Sequence, residues 1–150
     1  MKTTLHRTAG ILMGWLLVVG AAHAWAAKAP VSSEKMSREA AHIVSGTVVK
    51  VTARTQKSQV ETAPGDHVDR VFHILVKVKA VAKGGGVKVG DEIEVVAWQA
   101  ARRNPPLAGW QGHDSIPQKG DSVKLYLVRK GADGFEPIMP NGMVIEKDAR

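Results

Sequence analysis

The residues best equipped to do chemistry crowd into one stretch of the chain, residues 98–115, which reads WQAARRNPPLAGWQGHDS. It places Trp98, Arg102, Arg103, Trp110 and His113 within a single span. Tryptophan and arginine are the residue types enriched where binding energy concentrates. An indole can stack on a sugar or a base, and the guanidinium fork pairs with carboxylate or phosphate. A connection this long inside a small domain is uncommon unless it has a role. Lys77 and Lys79 lie on the polar parity of an earlier strand and add positive charge. The candidate binding set is therefore Trp98, Arg102, Arg103, Trp110 and His113, helped by Lys77 and Lys79. A competing reading is that Trp98 and Trp110 cap the open ends of a barrel while the arginines are merely solvated.

Catalysis finds less support. His113, Asp114 and Ser115 are consecutive, whereas the members of a hydrolytic triad meet in space from separate positions. No G-x-S-x-G elbow is present. The acids sit mostly at turns or in the tail, so paired carboxylates are hard to find. The expectation is a protein that is not an enzyme. His42, His67, His73 and His113 raise a metal reading, with acids beside two of them in Asp66-His67-Val68-Asp69 and His113-Asp114. Imidazole and carboxylate suit zinc or copper, but no H-x-x-x-H or similar spacing exists and the four fall on different elements. No metal or other cofactor is expected. Gly84-Gly85-Gly86 is followed by neither Gly-Lys-Ser/Thr nor a helical pattern, so it reads as a hairpin connection and not a phosphate loop.

These residues must be positioned by strands. Residues 42–53 are β-branched and mostly period two, with Val44, Gly46 and Val48 on one parity and Val49 and Val51 on the other. A change of buried parity near a glycine predicts a bulge or coil in one long strand able to serve both halves of a closed barrel. Residues 54–70 are polar, with a turn signal at Pro64-Gly65-Asp66. Phe72, Ile74, Val76, Val78 and Ala80 then share one face, opposite His73, Leu75, Lys77 and Lys79. A third strand carries Ile93, Val95 and Ala97 and ends at Trp98; an irregular stretch follows to Lys119. Gly120-Asp121 opens a fourth strand over 123–128, residues 135–139 suggest a short fifth, and Pro140-Asn141-Gly142 is a turn before residues 143–145. Residues 27–40 read as a flexible leader with a short helical turn near 36–41, and 41–146 as one domain of five to six strands. The class is all-β.

Residues 1–26 have the three parts of a secretory signal peptide: Lys2 and Arg7 without acids, an apolar run over 9–22, and small-residue exits ending at Ala24 or Ala26. The apolar run of about 14 residues, interrupted by Gly14 and Gly20, falls short of the roughly 20 that a spanning helix needs. The expected product is exported, periplasmic or secreted, with no membrane span once the segment is removed. The chain has no cysteine, which excludes disulfides, thiolate metal sites, cysteine nucleophiles and a lipid-anchored N-terminal cysteine. Its formal charge of +7 falls to about +5 when Lys2 and Arg7 leave, enough for loose attraction to anionic surfaces and too little to name a ligand.

The helical turn leading into AHIVSGTV, a second strand ending VKAVAKG, Gly90-Asp91 before the third strand, Gly120-Asp121 before the fourth and the closing Pro-Asn-Gly together resemble small exported bacterial proteins with an OB-like β-barrel, comparable to netrin-like and metalloproteinase-inhibitor domains. The resemblance covers residues 36–146 and implies an OB-like antiparallel barrel. It does not imply protease inhibition, because those inhibitors reach zinc through an N-terminal cysteine and this chain has none. OB-like barrels often bind single-stranded nucleic acid, but the central strands offer chiefly Phe72, of inward parity, and Tyr126, so a nucleic-acid partner is not expected. The expected function is that of an exported, non-enzymatic binding or interaction domain for an envelope polymer or another exported protein. The alternatives are a structural or accessory envelope protein without a small ligand and, behind it, a metal-binding periplasmic protein.

Overall fold

Alternating apolar and polar side chains favour strands buried on one face, and the computed structural model, which describes residues 29–106, 111–131 and 134–146, is built almost wholly of them. The segment expected to direct export, residues 1–26, and the candidate Trp110 lie outside the described residues. One helix, α1 (Ser33–Glu39), precedes β1 (His42–Lys57), β2 (Asp66–Lys83), β3 (Glu92–Asn104), β4 (Ser122–Lys130), β5 (Gly134–Pro137) and β6 (Met143–Glu146). The order β1-β2-β3-β5-β4 closes on itself, because β4 also pairs with β1, and β6 pairs with β4. This ring of five strands bears out the all-β class expected from the strand and turn order. It is mixed and not purely antiparallel, since β3 and β5 run parallel at Val95 and Phe135.

β1 closes the ring because it serves two partners. Residues 42–47 pair with β4 on one edge while 43–57 pair with β2 on the other. Register shifts fall between Ser45 and Gly46 and between Val48 and Lys50, so the change of parity seen in the sequence is a bulge that swings the strand from one wall to the next. Gly46 belongs there for space, since a Cβ would collide with the Lys77 carbonyl.

The ring is filled by Val44, Val48, Ile74, Val76, Val78, Val95, Val123, Leu125 and Leu127, each at most 1% exposed, with Phe72, Ile93, Phe135 and Met143 around them. Each such aliphatic side chain contributes on the order of 1.5–3 kcal/mol relative to an exposed one. A smaller cluster lies where α1 covers β1 and β4: Met36 and Ala40 pack on Ile43 and Tyr126. The helix starts at Ser32, whose Oγ accepts from the Lys35 N–H at 3.3 Å, and Val31 is tied to Asn141 by two hydrogen bonds of 2.8 and 2.9 Å. The stretch read as a flexible leader is thus docked from residue 31 onward.

Three strands exceed the sequence expectation. Polar residues 54–57 and 66–70 are strand, leaving only 58–65 as the connection, and β3 runs to Asn104 and not to Trp98. An antiparallel ladder satisfies its backbone through its neighbours whatever its side chains are, so apolar alternation under-reports strand length wherever both faces reach water. Ala80, expected inside, is exposed beyond the end of the core. The glycines 84–86 are also less free than a generic connection. Gly84 sits at φ 104° beneath the His42 ring, where a Cβ would collide, and His42 Nε2 lies 3.0 Å from the Gly85 carbonyl.

Candidate functional site

Beyond the ring, β1, β2 and β3 continue as a three-stranded antiparallel sheet. Register aligns Thr52 with His73 and Val96, Arg54 with Val71 and Trp98, and Gln56 with Asp69 and Ala100. Paired residues share a face, so these rows form a single surface, opposite the one that carries Phe72 and Ile74 into the core. The surface lines a cleft of about 410 Å3 together with Gln59 and Val60 from the β1–β2 connection and Lys130, Glu136 and Met139 from the far side of the ring. Val71, Val96 and Trp98 make its floor apolar, while Arg54, Gln56 and Gln59 line it with polar groups.

The wall of the cleft is held by a buried polar lock. Arg103 Nη2 meets Asp69 Oδ1 at 2.5 Å, with the two side chains only 8% and 3% exposed. The other Asp69 oxygen accepts from Ser58 Oγ at 2.7 Å, and Ser58 Oγ in turn accepts from the Val60 and Glu61 N–H groups. Arg103 Nη1 also donates to the Val68 carbonyl at 2.9 Å. The guanidinium therefore ties β3 to β2, and the carboxylate ties β2 to the start of the connection. A buried pair of this kind needs further hydrogen bonds to offset its desolvation; here Ser58 supplies one to the carboxylate, and the Val68 and Arg102 carbonyls accept from the guanidinium.

His113 is likewise structural. It is 2% exposed, with Nδ1 3.2 Å from the Trp98 N–H and Nε2 3.1 Å from the Pro137 carbonyl. The tautomer that satisfies both has Nδ1 accepting and Nε2–H donating. The His113 N–H donates to the Trp98 carbonyl at 2.8 Å, and the Ala100 N–H to the Gln111 carbonyl at 2.9 Å, so residues 111–113 lie as a short extra strand against β3. Gly112, at φ 95°, allows this approach, because a Cβ would strike the Trp98 carbonyl.

Of the seven sequence candidates, the cleft takes Trp98 alone, as a buried floor residue. Arg103 and His113 are engaged inside the fold. Arg102 is exposed and pairs with Asp66 at 2.7 Å. Lys77 and Lys79 are exposed on β2 outside the cleft lining, and Trp110 lies outside the described residues. Arg54, Gln56, Val71, Val96 and Lys130 were not singled out from sequence. The legible signal was a second apolar parity, Val71 and Leu75 on β2 and Val96 and Trp98 on β3, on the strand face that should have been polar throughout.

The histidines go to separate places. His73 Nδ1 contacts Glu94 at 2.5 Å on the outer face, and His67 is buried under Gly65 with neither ring nitrogen partnered among the described residues. Among the described residues no three His, Cys, Asp or Glu side chains are grouped to hold a metal ion. No helix among the described residues is long and apolar enough to cross a membrane. No protein-family model, no curated protein and no solved structure matches the chain.

Proposed function

We propose that this chain is an exported, non-enzymatic binding domain whose ligand face is the cleft over β1, β2 and β3, and whose partner is an anionic envelope component or a segment of another exported protein. The observation that carries the reading is the state of the charges around the cleft. Asp69 is neutralised by Arg103 and Glu136 by Lys130 at 3.1 Å, and His73 is hydrogen-bonded to Glu94, which leaves Arg54 as a cation with no ion pair among the described residues. Groups already spent on each other hold shape and are poorly placed to move protons. An unpaired guanidinium beside Val71, Val96 and Trp98 suits a ligand with an acidic group and an apolar body. The expected signal segment and the basic surface support the envelope as the place of action.

The rival reading, an accessory domain without a small ligand, draws on the burial of Trp98 and His113, which do structural work here. A thermal-shift titration with heparin and with anionic cell-wall fragments separates the two. A ligand at a hundredfold excess over its Kd stabilises the fold by about 2.7 kcal/mol. The expected result is a rise in Tm for the wild-type protein that is lost in Arg54→Glu. A flat response in both proteins favours the accessory reading.

A further inference from the structure

A second feature of β1, its outer edge, points to a protein partner; it shares Arg54 with the cleft and otherwise rests on different groups. In an antiparallel ladder the backbone groups of successive residues point alternately toward and away from the neighbouring strand. At the ring end, the Val48 N–H donates to the Asp121 carbonyl at 2.9 Å and the Val48 carbonyl accepts from the Gly120 N–H at 2.8 Å, so Val48 faces away from β2. At the other end, the Ser58 N–H donates to the His67 carbonyl at 2.8 Å, so Ser58 faces β2. Counting back from Ser58, Gln56, Arg54, Thr52 and Lys50 face β2, and Lys57, Thr55, Ala53 and Val51 face outward. The bulge that pairs Val48 with Val76 and Lys50 with Leu75 absorbs the extra residue, so both ends give the same assignment. Among the described residues nothing pairs with the outward groups of Val51, Ala53, Thr55 and Lys57. The corresponding edge of β3 is covered by residues 111–113.

An open strand edge is a template for another strand, and folded proteins seldom leave one unprotected. This edge is extended and mostly exposed from residue 51 to 57. Beside it lies a groove of about 720 Å3 lined by Val49, Val51, Phe72, Ile116 and Pro117, with Lys50 and Lys119 among its walls. Lys50, Arg54, Lys57, Arg70 and Lys119 flank the edge, and none makes an ion pair among the described residues. Edge-to-edge pairing with a second copy would set these cations against their own kind, so charge favours an acidic partner over a second copy.

We infer that the outer edge of β1, residues 51–57, is a β-augmentation site for an extended acidic segment of a partner protein. The geometry also dictates the pattern of that segment. Side chains of an added strand alternate between faces. On one face they meet Val51, Ala53 and Phe72 and are apolar. On the other they meet Lys50 and Arg54 and are acidic.

The test is amide hydrogen exchange on the whole protein, with and without a synthetic seven-residue peptide of alternating valine and glutamate. Without peptide, the amides of Val51, Ala53, Thr55 and Lys57 exchange freely while those of Thr52, Arg54 and Gln56 are protected. With saturating peptide, the four outward amides slow at least tenfold. Ala53→Pro, which removes an outward N–H without touching the β2 ladder, abolishes capture while leaving the melting curve cooperative. A peptide N-methylated at alternate residues fails on the wild-type protein, which keeps the test decisive even if that variant does not fold. Four outward amides already protected without peptide would overturn the inference. So would equal capture of a valine–lysine peptide, or binding without the alternating protection.

Discussion

The two halves of β1 are stabilised by different physics. From Ile43 to Val48 the strand is hydrogen-bonded on both edges and its inward side chains, Val44 and Val48, are sealed in an apolar ring. From Lys50 to Lys57 it is paired on one edge, its side chains are mostly exposed, and order at its end depends on the Ser58–Asp69–Arg103 lock. The first half gains from burial, which needs no particular partner. The second gains from a few charge-assisted hydrogen bonds, each of which requires its own partner in place. A closed ring therefore supplies stability, and the protruding sheet supplies surface.

The comparison breaks most visibly at the lock. Asp69→Ala leaves the Arg103 guanidinium buried and unpaired, and should cost about 3–5 kcal/mol in urea unfolding. Amide exchange in that variant should loosen residues 50–61 well before residues 42–48; equal loosening of both halves would show that they are not separate. Leu125→Ala, in the ring, should cost about 2–5 kcal/mol and lower protection everywhere, because the ring core is shared by all its strands. His113→Ala should cost about 1–3 kcal/mol by leaving the Trp98 N–H and Pro137 carbonyl unsatisfied, with loosening confined to residues 111–113 and the adjoining end of β3. The smallest effect belongs to Arg102→Ala. Its ion pair with Asp66 is more than half exposed on both sides, so at most about 1 kcal/mol is expected. A loss at Arg102 as large as that at Asp69 would mean that burial does not separate the two arginines.

Arg102 and Arg103 also show where sequence reading stops. They are neighbours of identical type, and in sequence they share one role. In a strand, neighbours point to opposite faces, so one reaches water and the other the interior. Which arginine goes inside depends on the register that sets β3 against β2, and the carboxylate it meets, Asp69, lies 34 residues earlier. His113 tells the same story: its bonds to the Trp98 backbone and the Pro137 carbonyl form because residues 111–113 fold back along β3, which no local periodicity encodes. The ring strands were legible because each has a continuous apolar parity. The outer reaches of β1, β2 and β3 were not, because their pairing rests on backbone hydrogen bonds to a neighbouring strand and leaves little trace in side-chain type.

What the residues determined unaided is the all-β class, the inward set Phe72, Ile74, Val76 and Val78, the parity change near Gly46 that becomes the bulge in β1, the turns at Gly90, Gly120 and Asn141, and the absence of any cysteine chemistry. These follow from local rules of sterics and burial, which act over a few residues. Only the tertiary structure decided which cations are spent and which are free, which face of the sheet is hollowed into a cleft, and which edge of β1 is left open. Those outcomes depend on what is brought opposite each residue, and in a ring of strands that is set by pairings between segments far apart in the chain.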